Sequence, residues 1–467
     1  MSGKAIMKLN WVSMIAALLL GMLFWSILPA AAQELAISDP ALPDTAPPDT
    51  VSLNAASQYP PRQEQVTQES ASGSLWPWLK NGKISFNARF RLEGFERDGA
   101  PFTDTAYAPT LRLELGYQTP EYHGFSLFSQ GEAVLVTGPA DYSVPLLPSQ
   151  NRPNLPSILD PKSLEMNQAG VSWTRTISNK KLAVIVGRQE LSLNDGRFLS
   201  YSNWRQVHGA FDSAQINAEL PLNFTFTYAY INRFYREDGY NATDGEEPMH
   251  SDLLNLTWSS HDRINASLYG LLLDFRRTPQ FTESTQTYGL RFTGPYRINP
   301  SWSLLYAAEF AKQMNYGTNP YKVDENYFLG ELGPGWHDFS GKVGFAFLGG
   351  RSATDLLTTP LAPPRNGWTD LFSTNPSVPG GHGLEALYVT VSGPMRFLDG
   401  AIATLIYYDY HSDYPHIHYG SELDSALAYK VKRVSNRWEI GWRFGRYWSD
   451  RLYSNALRTS VYTSFTL

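Results

Sequence analysis

From Lys83 onward, apolar and polar residues alternate one by one, in run after run. Ile84, Phe86, Ala88, Phe90 and Leu92 alternate with Ser85, Asn87, Arg89, Arg91 and Glu93. Leu111, Leu113, Leu115 and Tyr117 alternate with Arg112, Glu114 and Gly116, and Trp438, Ile440, Trp442 and Phe444 with Arg437, Glu439, Gly441 and Arg443. A period of two puts successive side chains on opposite faces of an extended strand. Each run therefore predicts a strand with one apolar and one polar face. About 18 such segments fit between residues 83 and 467. Those at 323–331 and 426–434 alternate most weakly, which leaves 16 as the other count. An even number suits a single-chain antiparallel β-barrel that crosses a membrane, so the expected fold is all-β.

Two features favour a membrane barrel over a soluble sandwich or propeller. Many apolar faces begin or end in Tyr, Trp or Phe, as interfacial girdles require. The polar faces carry Arg, Glu and Gly, which suit a wet lumen better than a dry core. The chain is 14% aromatic, with 27 Tyr and 13 Trp. Yet its mean hydropathy is only −0.31. A helical membrane protein needs about 20 consecutive apolar residues per span, whereas a barrel shows lipid only every second residue. The net charge of −6 argues against a nucleic-acid partner, and with no cysteine there is no disulfide framework or thiolate metal site.

Residues 1–32 read as a secretory signal peptide. Lys4 and Lys8 precede an apolar run from Trp11 to Leu28, and Ala30-Ala31-Ala32 ends just before Gln33. An uncleaved anchor is the alternative. Residues 33–78 contain Pro40, Pro43, Pro47, Pro48, Pro60 and Pro61 among Ser, Gln and Asp. Such a stretch buries too little apolar surface to offset its ordering entropy, which predicts a disordered periplasmic leader or a partner-binding peptide. Residues 79–467 form the expected barrel domain.

Tight connections at Asn179-Lys180, Pro221-Leu222 and Ser435-Asn436 contrast with long ones at 138–164, 236–249, 350–382 and 411–425. Short periplasmic turns and long external loops alternate in this way in outer-membrane barrels. The segments 138–164 and 350–382 are rich in Pro, Gly and Asn, and one or both are expected to fold inward and narrow the pore. The final strand alternates through Val461, Thr463 and Phe465, but ends on Leu467 where an aromatic residue is usual for barrel-assembly machinery.

One stretch is more specific. Residues 187–212 read GRQELSLNDGRFLSYSNWRQVHGAFD. A strand ending in Gly187-Arg188-Gln189, an Asp195-Gly196-Arg197 turn, an aromatic and basic segment, and a Phe211-Asp212 pair resemble the alginate export family of outer-membrane porins. The opening FNARFRLEGFE segment at 86–96 is consistent with it. The resemblance implies a monomeric 18-stranded barrel with an arginine-rich, electropositive constriction. Its founding members pass the polyanion alginate outward, so the expected solute is polar and anionic, such as an acidic saccharide.

By alternation, Arg89, Arg91, Arg112, Arg291, Arg437 and Arg443 face the lumen. An arginine fork suits a carboxylate, and rings of arginine favour anions. Glu93, Glu114, Glu132, Glu309 and Glu439 share those faces, so cross-strand ion pairs are the competing reading. Arg188, Gln189, Arg197, Asn203, Arg205 and Gln206 are the expected lumen contacts of the specific stretch. Alternatively they brace one hairpin, with Asp195 to Arg197 and Asp212 to Arg205 or Arg188. Asp409, His411, Asp413, His416 and His418 are proper metal ligands, but a polar loop tip explains them too. No metal or cofactor is expected.

No nucleophile elbow, phosphate loop or HExxH helix is present, and no Ser–His constellation stands out, so catalysis is not expected. The other functional readings are a general-diffusion porin and, from a different class, a secreted β-rich carbohydrate-binding protein. Outer-membrane lipid and a small or oligomeric polar solute are the expected partners.

Overall fold

The computed structural model describes residues 79–260, 263–361, 366–432 and 437–467. The signal and leader, and the Ser435-Asn436 turn, lie outside them. Eighteen antiparallel strands form one sheet. They are β1 (Lys83–Arg97), β2 (Ala106–Gln118), β3 (Phe125–Val136), β4 (Ser163–Ile177), β5 (Lys180–Gln189) and β6 (Ala210–Glu219). Then follow β7 (Phe224–Tyr235), β8 (Glu246–Ser260), β9 (Ile264–Leu272), β10 (Thr285–Arg297), β11 (Trp302–Asn315) and β12 (Asp324–Trp336). The last six are β13 (Phe339–Leu348), β14 (Leu384–Pro394), β15 (Ala401–His411), β16 (His418–Lys430), β17 (Trp438–Ser449) and β18 (Ala456–Thr466). Each pairs with the next, and β18 pairs with β1 from Asn87↔Thr466 to Arg97↔Ala456, which closes the barrel.

The two weakest segments are both strands, β12 and β16, so the count is 18 and not 16. The expected long connection at 411–425 is a correction: β16 starts at His418 and leaves only residues 412–417. The polar run that reads as a loop is polar because Glu422 and Asp424 face inward and are fully buried there.

Burial along the strands is inverted relative to a soluble protein. Leu164 is 82% exposed and Leu115 63%, while Arg91, Glu422 and Asp424 are 0% exposed. A soluble chain would lose on both counts, by wetting its largest apolar side chains and drying its charges. A barrel in lipid gains on both. Lipid covers the outer face, and the lumen supplies charged partners. At the short-turn end, Trp302 and Trp336 are register partners with ring centroids 6.1 Å apart, and Phe339 stacks on Trp336 at 5.9 Å. These are girdle residues.

The lumen is not uniform. In its long-loop half, inward strand residues such as Phe211, Ile231, Tyr327 and Tyr410 pack with Ile158, Leu199, Leu361 and Phe372 from connections, forming a hydrophobic core inside the barrel. In the short-turn half the walls are polar. There Gly441 lies opposite Tyr462 on the inward face. A Cβ on Gly441 would come within 2.1 Å of the Tyr462 ring, so the glycine lets that ring lie flat along the wall.

Val389 lies midway along β14 on the outer face, with Leu387 and Val391. Placing a guanidinium there exposes it to hydrocarbon. Val389→Arg is expected to destabilise the folded barrel by about 2–4 kcal/mol, read as a lower denaturant midpoint for the barrel folded in lipid vesicles.

Candidate pore constriction

Three connections of the long-loop end fold into the lumen. Residues 137–162, between β3 and β4, bury Val144, Ile158 and Asp160. Residues 349–383, between β13 and β14, bury Leu361, Leu371 and Phe372. Both match the expectation for the Pro-rich connections. The third, residues 190–209 between β5 and β6, reaches furthest toward the short-turn half and is the stretch of specific resemblance. It bridges the second through Leu199↔Leu361, with the Ser200 N–H donating to the Leu361 carbonyl at 2.8 Å.

The inward arginines are the fasteners of this assembly. Arg89 spends its whole guanidinium on residues 203–206. Its Nη1 donates to the Asn203 carbonyl at 3.0 Å, its Nη2 to the Trp204 and Arg205 carbonyls at 2.8 and 2.6 Å, and its Nε to Gln206 Oε1 at 3.0 Å. Arg91 reaches the Trp204 carbonyl, Asp160 and Glu93. Gln206 in turn receives Arg89 and donates to Thr110 Oγ1 at 2.9 Å, while its N–H donates to Asp160 at 3.0 Å. Glu93 also pairs with Arg458 and Arg205, and both of those meet Asp370 from the 349–383 connection.

Farther round the wall, Arg291 pairs with Glu309 of β11 and with Asp195 of the Asp195-Gly196-Arg197 turn. Arg197 donates to Asn366 at 3.3 Å and lies over the Tyr327 ring at 5.6 Å. The indole of Trp204 collects cations. Arg443 stands 3.6 Å from its centroid, Arg91 4.5 Å and Arg89 5.8 Å. Contacts of this kind contribute about 2 kcal/mol or more when desolvated.

Arg112 bridges Glu114 at 3.1 Å and Asn87 at 2.9 Å, and donates to His208 Nε2. Since Nε2 accepts, the ring proton sits on Nδ1, which donates to Glu190 at 2.9 Å. Burial, reinforced by Arg112, pushes His208 down to about 3, so the ring stays neutral. Burial also pushes the Glu190 carboxyl up to about 7, against the Asn167 hydrogen bond and Arg112.

Below residues 201–208 lies a cavity of about 540 Å³ in the short-turn half. Arg89, Arg112, Trp204, Tyr201, Tyr462 and Glu439 are among its walls. The exposed Asn203 also lines it.

Most residues singled out in the sequence thus meet here, as ties more than as a bare filter. Arg89, Arg91, Arg112, Arg291 and Arg443 face the lumen, and Arg197, Asn203, Arg205 and Gln206 sit in the inward segment. Gln189 also points in, donating to Ser213 Oγ at 2.8 Å. Two expectations are corrected. Arg188 shares the outward face with Val186 (53% exposed), pairs with Asp212 at 2.9 Å and lies 3.6 Å from the Tyr235 centroid. It braces the β5–β6 hairpin, because a one-residue step along a strand reverses the face. Arg437 lies exposed in the turn before β17, beyond the strand that would have carried it to the constriction. The expected net-basic ring is replaced by ion pairs with Glu93, Glu114, Glu309, Asp160 and Asp370. The last two lie on connections, where strand alternation carries no signal.

The fold and its inward segments define the class. It is a closed 18-stranded antiparallel β-barrel with an apolar outer face and connections folded into its lumen. More particularly, the sequence model described as "Alginate export" matches residues 150–347, which include the stretch at 187–212. No curated protein matches the chain by sequence. Among solved structures, OccAB3 of Acinetobacter baumannii is similar over 83% of this chain and 99% of its own, at 15% identity and a TM-score of 0.65. OpdK of Pseudomonas aeruginosa, solved with vanillate, is similar over 84% and 99%, at 14% identity and 0.63. OccK9 (OpdG) of the same organism covers 84% and 99%, at 12% identity and 0.64.

Arg89→Ala removes the donors that hold residues 203–206. Charge-assisted hydrogen bonds contribute about 1.5–3 kcal/mol each. The variant should remain a heat-modifiable barrel, with higher single-channel conductance and more open-channel noise. Arg437→Ala should leave both unchanged.

Proposed function

We propose that this barrel is a passive outer-membrane porin that selects a small polyhydroxylated solute bearing a carboxylate, of the size of an acidic mono- or disaccharide, rather than serving general diffusion. The observation that carries this reading is the cavity beneath Trp204. Its volume of about 540 Å³ falls within the roughly 300–1,000 Å³ usual for small-molecule sites. Tyr201, Trp204 and Tyr462 offer ring faces for the apolar side of a sugar. Asn87, Gln130, Gln168, Ser464 and Thr466 offer hydrogen bonds to hydroxyls, and Arg89 and Arg112 offer cationic edges to an acid beside the carboxyls of Glu114, Glu190 and Glu439. The alginate export match supports an acidic saccharide. The vanillate complex of OpdK, a barrel of like fold, supports a small acid of similar charge. A wide general-diffusion pore fits poorly with a lumen crossed by three pinned connections. Passage is passive, through weak binding at successive sites.

Folded protein in a planar bilayer under a KCl gradient tests the proposal. The expected result is an anion-selective reversal potential, with current blocked by galacturonate or mannuronate more than by neutral galactose. A cation-selective pore, or equal block by neutral and acidic sugars, would refute the acidic solute.

Glu190 gives a second handle. Its carboxyl is a cavity wall group that changes charge near pH 7. Lowering the pH through that value removes a negative charge, so anion selectivity should rise from pH 8 to pH 6. In Glu190→Gln that change should be flattened, with selectivity already at the acidic limit.

A further inference from the structure

We propose that the external rim of the barrel carries a transition-metal site built from Asp409, His411 and His418. Asp409 and His411 are two residues apart on β15 and share its outward face with Leu405 and Tyr407. His418 opens β16 and is the register partner of His411. The strands place these side chains together at the long-loop end, where the six-residue connection 412–417 turns the chain back.

The ligand atoms converge. His418 Nε2 lies 3.0 Å from Asp409 Oδ1, and His411 Nδ1 lies 3.5 Å from Asp409 Oδ2. The three groups offer one ligand atom each, all within 4.8 Å of one another. With metal–ligand bonds of about 2.0–2.1 Å, the edge of a tetrahedron is about 3.3 Å, so a small closure of the three side chains brings them round one ion.

The surroundings also suit a ligating histidine. Asp450 Oδ2 lies 3.2 Å from His418 Nδ1, on the side of the ring away from Asp409. A carboxylate that fixes the outer nitrogen of a ligating histidine is the usual support of a metal–histidine bond. Glu385 stands likewise beside His416 Nδ1 at 3.3 Å, and the His416 ring stacks on His411 at 5.1 Å. Two imidazoles and one carboxylate select Zn²⁺, Ni²⁺ or Cu²⁺ over Ca²⁺ or Mg²⁺. The side chains are 30–37% exposed, so a fourth position opens to the medium and the ion exchanges freely. The buried group of Glu114, Glu132 and His208 differs, because the His208 Nδ1 that faces these carboxylates already donates to Glu190 while Arg112 holds its Nε2.

The test is calorimetric titration of Zn²⁺ into the full-length barrel, folded in detergent and free of any affinity tag. One equivalent should bind per barrel. His418→Ala should abolish binding, and Asp450→Asn should weaken it about tenfold or more through loss of the supporting carboxylate. Cu²⁺ bound to the wild-type barrel should show nitrogen hyperfine structure in its electron spin resonance spectrum, lost in the His411→Ala, His418→Ala double variant. His250→Ala, outside the cluster, should bind as the wild type does. Heat-modifiable gel mobility checks that each variant is folded. No stoichiometric binding, or binding that survives the double variant, would overturn the site.

Discussion

No water reaches the backbone inside a bilayer, so every N–H and carbonyl there must find a partner within the protein. The pairing of β18 with β1 meets that requirement for the whole sheet. Much follows from this closure. A closed sheet has one inner and one outer face, and strand parity assigns every side chain to one of them. The outer face becomes the apolar one because lipid is its solvent. The inner face is left with arginines, glutamates and glycines that would be ruinous in a dry core.

A barrel of 18 strands is also too wide for its own side chains to fill. The space is taken up by three connections that turn inward, and the inner-face charges find their partners there. Arg89 is bound to the carbonyls of residues 203–205, and Glu93 gathers Arg91, Arg205 and Arg458. Buried pairs of this kind are close to neutral for overall stability, but losing one partner costs about 3–5 kcal/mol because a bare charge is left behind. The network thus defines where the inward segments sit more than how stable the barrel is. Lumen arginines that look like a filter in the sequence serve first as anchors. What they leave open is a cavity walled by aromatic faces, amides, hydroxyls and the rims of Arg89 and Arg112.

Legibility followed the range of the signal. The strands β1, β5 and β11 were readable because alternation is a local property of a dozen residues. β16 was displaced by eight residues at its start, because Glu422 and Asp424 make an inward face so polar that it resembles a loop. Arg437 was assigned to the lumen by extending the alternation one residue past the strand. Arg188 was grouped with Gln189 by adjacency in a motif, although adjacent residues on a strand face opposite ways. The histidines around residue 411 read as a loop tip, since their approach depends on the β15–β16 register.

The sequence by itself determined the barrel, a count of 18 or 16 strands, the alternation of inward and outward faces within each strand, and the long connections at 138–164, 236–249 and 350–382. Those properties depend on residue parity and on turn chemistry, which act over a few neighbours. Only the tertiary structure decided what each lumen charge meets. Arg89 and Gln206 are 117 residues apart, and Glu93 and Arg458 are 365 apart. Such partners are brought together by closure of the sheet and by the depth to which residues 190–209 descend. No local pattern encodes that depth, because it is set by the width of the finished barrel and by the charges already waiting on its inner wall.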